Sequence, residues 1–195
     1  IYVERFKQSK YKMNRCTHLG VDTDLFSPLK NNSKIQNTLK TRIFKIGYVG
    51  RVIEYKGVTD LIEAVIKINE KSDLRLNLEL VGKGPSLTRL KNKYEKYDYI
   101  LFMGSIIHSD VASFLKSLDI FVMPSRILDI HVEHDSHALL EAMACGIPSI
   151  ASISGSNKDV LEEFDECLFL PEDVEVLKIK IIKVINNYEK YINLA

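Results

Sequence analysis

From residue 43 onward, short apolar runs alternate with amphipathic stretches. Residues 43–49 form a β-branched run that predicts a strand, and residues 58–70 carry Leu61, Ile62, Val65, Ile66 and Ile68 at helical spacing. The alternation then repeats. Strands are predicted at 76–81, 99–103, 120–123, 149–152 and 167–170. Helices are predicted at 86–94 with Ser86 as candidate cap, at 110–118 with Asp110 near its start, around Val160, and from Val174 to about Tyr191. About six strands alternating with six helices predict an α/β domain, a parallel sheet with helices on both faces. Several strands are continuously apolar, as both-sided coverage requires. Ligands of such sheets bind beyond the carboxyl ends of the strands. The loops after Val49, Val81, Met103, Met123 and Ser152 should therefore share one rim, and they hold most of the glycines.

The first 42 residues break this rhythm. Lys7 to Arg15 is basic and polar, residues 17–28 are rich in turn formers, and 29–42 are polar and rich in Asn, Lys and Thr. This stretch reads as tether and linker, with the domain proper over 43–195. The chain opens on Ile1, which suggests a piece of a longer protein.

Composition narrows the classes. The 195 residues are 46% hydrophobic, enough for one full core, and carry a net charge of +1. That charge gives no electrostatic case for a nucleic-acid partner. Cys16, Cys145 and Cys167 are odd in number and widely spaced, which fits neither a disulfide frame nor a zinc site. No apolar run approaches the roughly 18 residues of a membrane span.

One helix stands apart. Residues 137–145 are apolar nearly all round, with Ser136 as candidate cap and Gly146 and Pro148 as the stop. Such a helix is expected to be buried. It contains one carboxylate, Glu141, which is costly to bury unless something in the protein or a ligand pairs with it. A second acid, Glu133, lies eight residues earlier, outside the helix start.

Other candidate chemistry lies on the predicted rim. Arg51 and Lys56 stand between Gly50 and Gly57, where two cations suit a diphosphate or are simply solvated. The turn Gly82-Lys83-Gly84-Pro85 matches neither a P-loop nor the dinucleotide fingerprint, because Leu87 stands where a third glycine would be. The N–H groups of Ser136, His137 and Ala138 suit a phosphate or ordinary capping. His131, His134 and His137, with Asp129, Glu133 and Asp135, offer metal-ligand types, but His-x-x-His-x-x-His is no closed zinc spacing. No serine or cysteine has a nucleophile-elbow setting.

Together these pieces resemble group 1 (family 4) glycosyltransferases of GT-B fold. Glu133 and Glu141, with Leu139-Leu140-Glu141-Ala142-Met143-Ala144-Cys145-Gly146-Ile147-Pro148, look like the family signature. Gly50-Arg51, Glu54 and Lys56-Gly57 are similar to its "GR…eKG" loop, Leu80 to Pro85 to its "lvGxGp" turn, Phe102-Met103-Gly104 to its "FxG", and Val122 to Ser125 to its "v.PS". Gly20-Val21-Asp22 with Phe26 and Pro28 resembles the linker between the two GT-B domains. The resemblance runs from about residue 17 to 170 and covers only the C-terminal half of that fold.

It implies a Rossmann-like domain that binds a nucleotide-sugar donor. The acceptor domain would be supplied by the same or a partner chain. By resemblance, Arg51 and Lys56 hold the diphosphate and stabilise the departing nucleoside diphosphate, work done by a metal in other transferases. Glu141 takes the ribose hydroxyls, Glu133 the donor-sugar hydroxyls, and the N–H groups of Ser136, His137 and Ala138 a phosphate. Backbone at Ser105 and Ile106 meets the base, and Gly50 and Gly82 let the donor approach. The family retains anomeric configuration and needs no bound metal or other cofactor. A cytoplasmic location is expected, with peripheral association of the full protein at the inner face of the membrane left open.

The chain departs from the family at one point. Glu133-His134-Asp135-Ser136 stands where Glu-Gly-Phe-Gly is common, and Asp135 would repel a phosphate unless His134 or His137 is protonated. The loop from Ser125 to Glu133 is also longer than usual. Two other functions remain open on sequence: a non-catalytic nucleotide-binding subunit or scaffold, and a GT-B-type nucleotide-sugar epimerase.

Overall fold

The structure is a computed structural model that describes residues 20–29, 42–127 and 137–194. Its centre is one six-stranded sheet, β1 (Ile43–Val49), β2 (Arg75–Val81), β3 (Ile100–Gly104), β4 (Ile120–Met123), β5 (Ser149–Ser152) and β6 (Leu168–Phe169). The order is β3-β2-β1-β4-β5-β6 and every neighbouring pair is parallel. From β1 the chain winds outward to β3, then returns to the centre and winds the other way from β4. The reversal lies between β1 and β4, and a doubly wound sheet opens its ligand crevice at such a point.

The helices are α1 (Val58–Lys71), α2 (Leu87–Tyr94), α3 (His108–Ser117), α4 (His137–Ala144), α5 (Asn157–Val160), α6 (Val174–Asn186) and α7 (Tyr188–Leu194). They cover both faces of the sheet. Of the two central strands, β4 is apolar and buried along its whole length, while β1 buries Phe44, Ile46 and Tyr48 on one face and Gly47 against Leu118 on the other, with Lys45 half-exposed. Helix α1 buries Leu61, Ile62, Val65, Ile66 and Ile68. Fully burying a side chain of that size contributes about 1.5–3 kcal/mol. The same helix packs along α6, and Lys67 bonds Glu175 at 2.8 Å across the join.

The amino end of the sheet is held by side chains. Asp119, buried just before β4, accepts from the Lys45 backbone N–H at 2.8 Å and from the Tyr188 hydroxyl at 3.1 Å, and it pairs with Arg42. Arg42 also lies over the rings of Phe44 and Tyr188, at 5.0 and 5.1 Å. This cluster fixes α7 under the entry to β1.

Within residues 20–29, the Asp22 carboxylate accepts from the N–H groups of Asp24 and Leu25 at 3.0 and 3.3 Å, making a turn. Phe26 is 2% exposed, with its ring 5.6 Å from that of His108 on α3. The rest of residues 1–41, which carries most of the expected tether, lies outside the described residues.

Several predicted boundaries shift. The predicted helix over 110–118 begins earlier, at His108, and Asp110 falls in its first turn. Ser86 precedes α2 but is itself in helical geometry and its side chain caps nothing. The last predicted helix is two. Asn187 ends α6, its backbone N–H shared between Lys183 and Val184 and its side chain donating to the Lys183 carbonyl at 2.9 Å. An asparagine that bonds its own backbone competes with the helix ladder.

Candidate functional site

The loops leaving β1, β2 and β3 are knitted side by side with main-chain hydrogen bonds. The Gly50 N–H donates to the Val81 carbonyl at 3.0 Å and the Gly82 N–H to the Gly104 carbonyl at 2.7 Å. Further out, the Val52 N–H reaches Lys83 at 3.0 Å and the Ser86 N–H reaches Val52 at 3.1 Å. Gly82 makes this closeness possible: a Cβ there would lie 1.7 Å from the Gly50 carbonyl oxygen, and its φ is +144°. From below, the buried Tyr48 hydroxyl donates to the Arg51 carbonyl at 2.8 Å.

This rim gathers the predicted residues of the first three loops. Arg51 is exposed next to Gly50, and Ser105, just after Gly104, is exposed while Ile106 packs against the core. Lys56 ends the short 3-10 turn Glu54–Lys56, half-buried, with its ammonium 5.8 Å from the Tyr55 ring. Gly57 then adopts φ +66° and opens α1.

Helix α4 supplies the other side. It is less buried than its apolar sequence predicts: Leu139 and Ala142 are its buried residues, and the remainder are half-exposed. The helix lies against α3, β4 and β5, so only one stripe faces the core. Glu141 is on the half-exposed part, one turn from His137 on the same face. Burial pushes its carboxyl above the usual range, while His108 and His137 pull it partly back. Among the described residues nothing hydrogen-bonds this carboxylate. His137 and Ala138 sit in the first turn of α4, where N–H groups lack intrahelical partners. Glu133, Ser136 and the histidines His131 and His134 lie outside the described residues.

Sequence reasoning missed the group that joins the two sides. Arg126, just past Pro124-Ser125, donates Nε to Asp60 Oδ2 at 2.8 Å, and its Nη2 pairs with Oδ1 of the same carboxylate. Asp60 is 5% exposed. The available signal was an acid on the otherwise apolar face of α1, but nothing local named its partner.

Burial raises the thiols of Cys145 and Cys167, the latter to about 11, so neither suits a nucleophile. Among the described residues no His, Cys, Asp or Glu cluster could hold a metal ion, and no helix is long and apolar enough to cross a membrane.

Residues 30–195 match the family described as glycosyl transferases group 1. The chain is 29% identical over 192 residues to protein CapJ of Staphylococcus aureus, which covers 95% of this chain and 45% of CapJ. It is 30% identical to a GDP-mannose-dependent alpha-mannosyltransferase of Corynebacterium glutamicum, over 74% of this chain and 32% of that protein. The chain thus spans less than half of these curated relatives. In fold it is similar to the C-terminal domain of a glycosyl transferase group 1 family protein, LpcC of Francisella tularensis. The TM-score is 0.70 at 26% identity, covering 87% of this chain and 90% of that domain.

Proposed function

The chain belongs to the group 1 glycosyl transferases, and from that premise we propose that it is the donor-binding half of a retaining glycosyltransferase. It binds a nucleoside-diphosphate sugar, and the acceptor domain completes the cleft. The observation that supports the reading is the topology around the switch point between β1 and β4. A cationic loop leaves β1, and α4, which follows β4 and packs against it, carries a half-buried carboxylate that no described residue hydrogen-bonds.

In this reading the diphosphate lies over the glycine floor. Arg51 forks onto it and Lys56 adds a point charge. As the bond from the anomeric carbon to the leaving oxygen breaks, negative charge builds on the diphosphate and these cations stabilise it. The first-turn N–H groups of α4 add partial positive charge. Glu141 accepts from the ribose hydroxyls, backbone at Ser105 and Ile106 meets the base, and Glu133 holds the donor-sugar hydroxyls. Ionic hydrogen bonds are worth about 1.5–3 kcal/mol each.

Calorimetric titration with UDP and GDP tests the reading. Binding of one of them is expected, and Lys56→Ala should weaken it by about 10-fold or more, since tenfold is 1.4 kcal/mol. No binding of either, or no effect of Lys56→Ala, rejects it.

A further inference from the structure

We infer that Arg126 is a positioning residue that stitches the two sides of the switch point together and sets where Lys56 stands against the diphosphate. The inference rests on the donor-site reading above. Loops from four strands meet at this one arginine. Its backbone N–H donates to the Tyr55 carbonyl at 2.7 Å, which ties the exit of β4 to the residue beside Lys56. Its guanidinium takes the Asp60 carboxylate in a two-pronged grip, with Nε to Oδ2 at 2.8 Å, at the first turn of α1. Its Nη1 lies 3.7 Å from Glu172 Oε2 in the loop after β6, and its carbonyl accepts from Ser154 Oγ, after β5, at 3.4 Å. Glu172 itself has φ +66°, and among the described residues it is the non-glycine with positive φ.

The fit is close enough to transmit position. A Cβ on Gly57 would lie 1.9 Å from the Pro124 carbonyl oxygen, so the turn ending in Lys56 rests directly on the β4 exit. The turn that ends in Lys56 therefore runs into two fixed points, Gly57 against Pro124 and Asp60 in the grip of Arg126. The Asp60 side chain is 8% exposed and that of Arg126 19%, so this is not a solvated surface pair. Lysine has no fork and would not reproduce the two-pronged contact. Among the described residues, the hydrogen bonds and ion pairs of Arg126 run to Tyr55, Asp60, Ser154 and Glu172, not to Ser105, Ile106 or Glu141. Loss of the grip should therefore cost diphosphate recognition and spare the base and ribose contacts.

That selectivity is the test. The full chain is titrated with UDP, UMP, GDP and GMP. Arg126→Ala is expected to raise the Kd of the preferred diphosphate about tenfold, while its monophosphate changes by less than about twofold. Asp60→Asn should act in the same direction, and Arg126→Lys should not restore the diphosphate. The inference is overturned if folded Arg126→Ala binds the diphosphate like wild type, or if mono- and diphosphate weaken equally. It is also overturned if both Arg126→Ala and Asp60→Asn fail to fold, because the pair is then only structural. A wild-type chain that binds neither UDP nor GDP overturns the proposed function itself and this inference with it.

Discussion

Glu141 holds its proton more tightly than an ordinary carboxyl because burial on α4 disfavours the charge. The sign has two consequences. For stability, the native state binds the proton better than the unfolded chain does. This residue's contribution is therefore greatest at low pH and declines as pH rises through the raised value. For ligand binding the direction reverses, because the ionised form is the better acceptor of ribose hydroxyls. Nucleoside-diphosphate affinity should weaken as pH falls, beginning above the usual carboxylate range. Calorimetry between pH 7.5 and 5 reads this profile, and Glu141→Gln should remove its Glu141 component. That variant should also bind about tenfold more weakly at pH 7.5 and lose most preference for ribose over 2′-deoxyribose, about 1.4 kcal/mol in all. A Gln variant with wild-type affinity and pH profile would reject the assignment. The sequence made Glu141 conspicuous because one acid in an apolar helix has few explanations. It gave no warning of His108, which approaches Glu141 from a different helix.

Elements were legible where burial alone decides them. The bounds of β1 and β4 match their predicted runs, β4 because it is buried throughout and β1 because its alternate residues Phe44, Ile46 and Tyr48 enter the core. Elements were illegible where local hydrogen bonds or distant partners decide. The break at Asn187 depends on one side-chain amide, and Asp60 and Arg126 are 66 positions apart. The docking of Phe26 was hidden for the same reason, in a segment whose composition reads as turn. Its burial predicts that Phe26→Ala costs about 3–5 kcal/mol, measurable as a fall in urea midpoint at unchanged slope. At the rim, Gly82→Ala should both destabilise the fold and weaken nucleotide binding, because a methyl there meets a main-chain oxygen that cannot swing aside. Melting and calorimetry on the same sample check both effects.

At the scale of the molecule, the chain spans 45% of CapJ, and the proposed donor site needs an acceptor domain to complete its cleft. Nucleotide binding and turnover should therefore separate. The 195-residue chain is expected to bind a nucleoside diphosphate yet transfer no sugar. Product chromatography with donor and candidate acceptors tests this. Transfer by the chain alone would contradict the division of labour, and a new nucleotide sugar from donor alone would favour an epimerase. The two ends of the sheet are also fastened by different atoms. The amino end depends on Arg42, Asp119 and Tyr188, so an exchange there disturbs the fold. At the carboxyl end, the loops after β1, β2 and β3 are joined by main-chain amide and carbonyl groups, through Gly50, Val81, Gly82 and Gly104, and side chains enter on the β4 side, where Arg126 grips Asp60. The exposed side chains of Ser105 and Lys83 can therefore be exchanged with the floor beneath them intact. The side chains around the proposed donor site can thus vary on an unchanged main-chain floor.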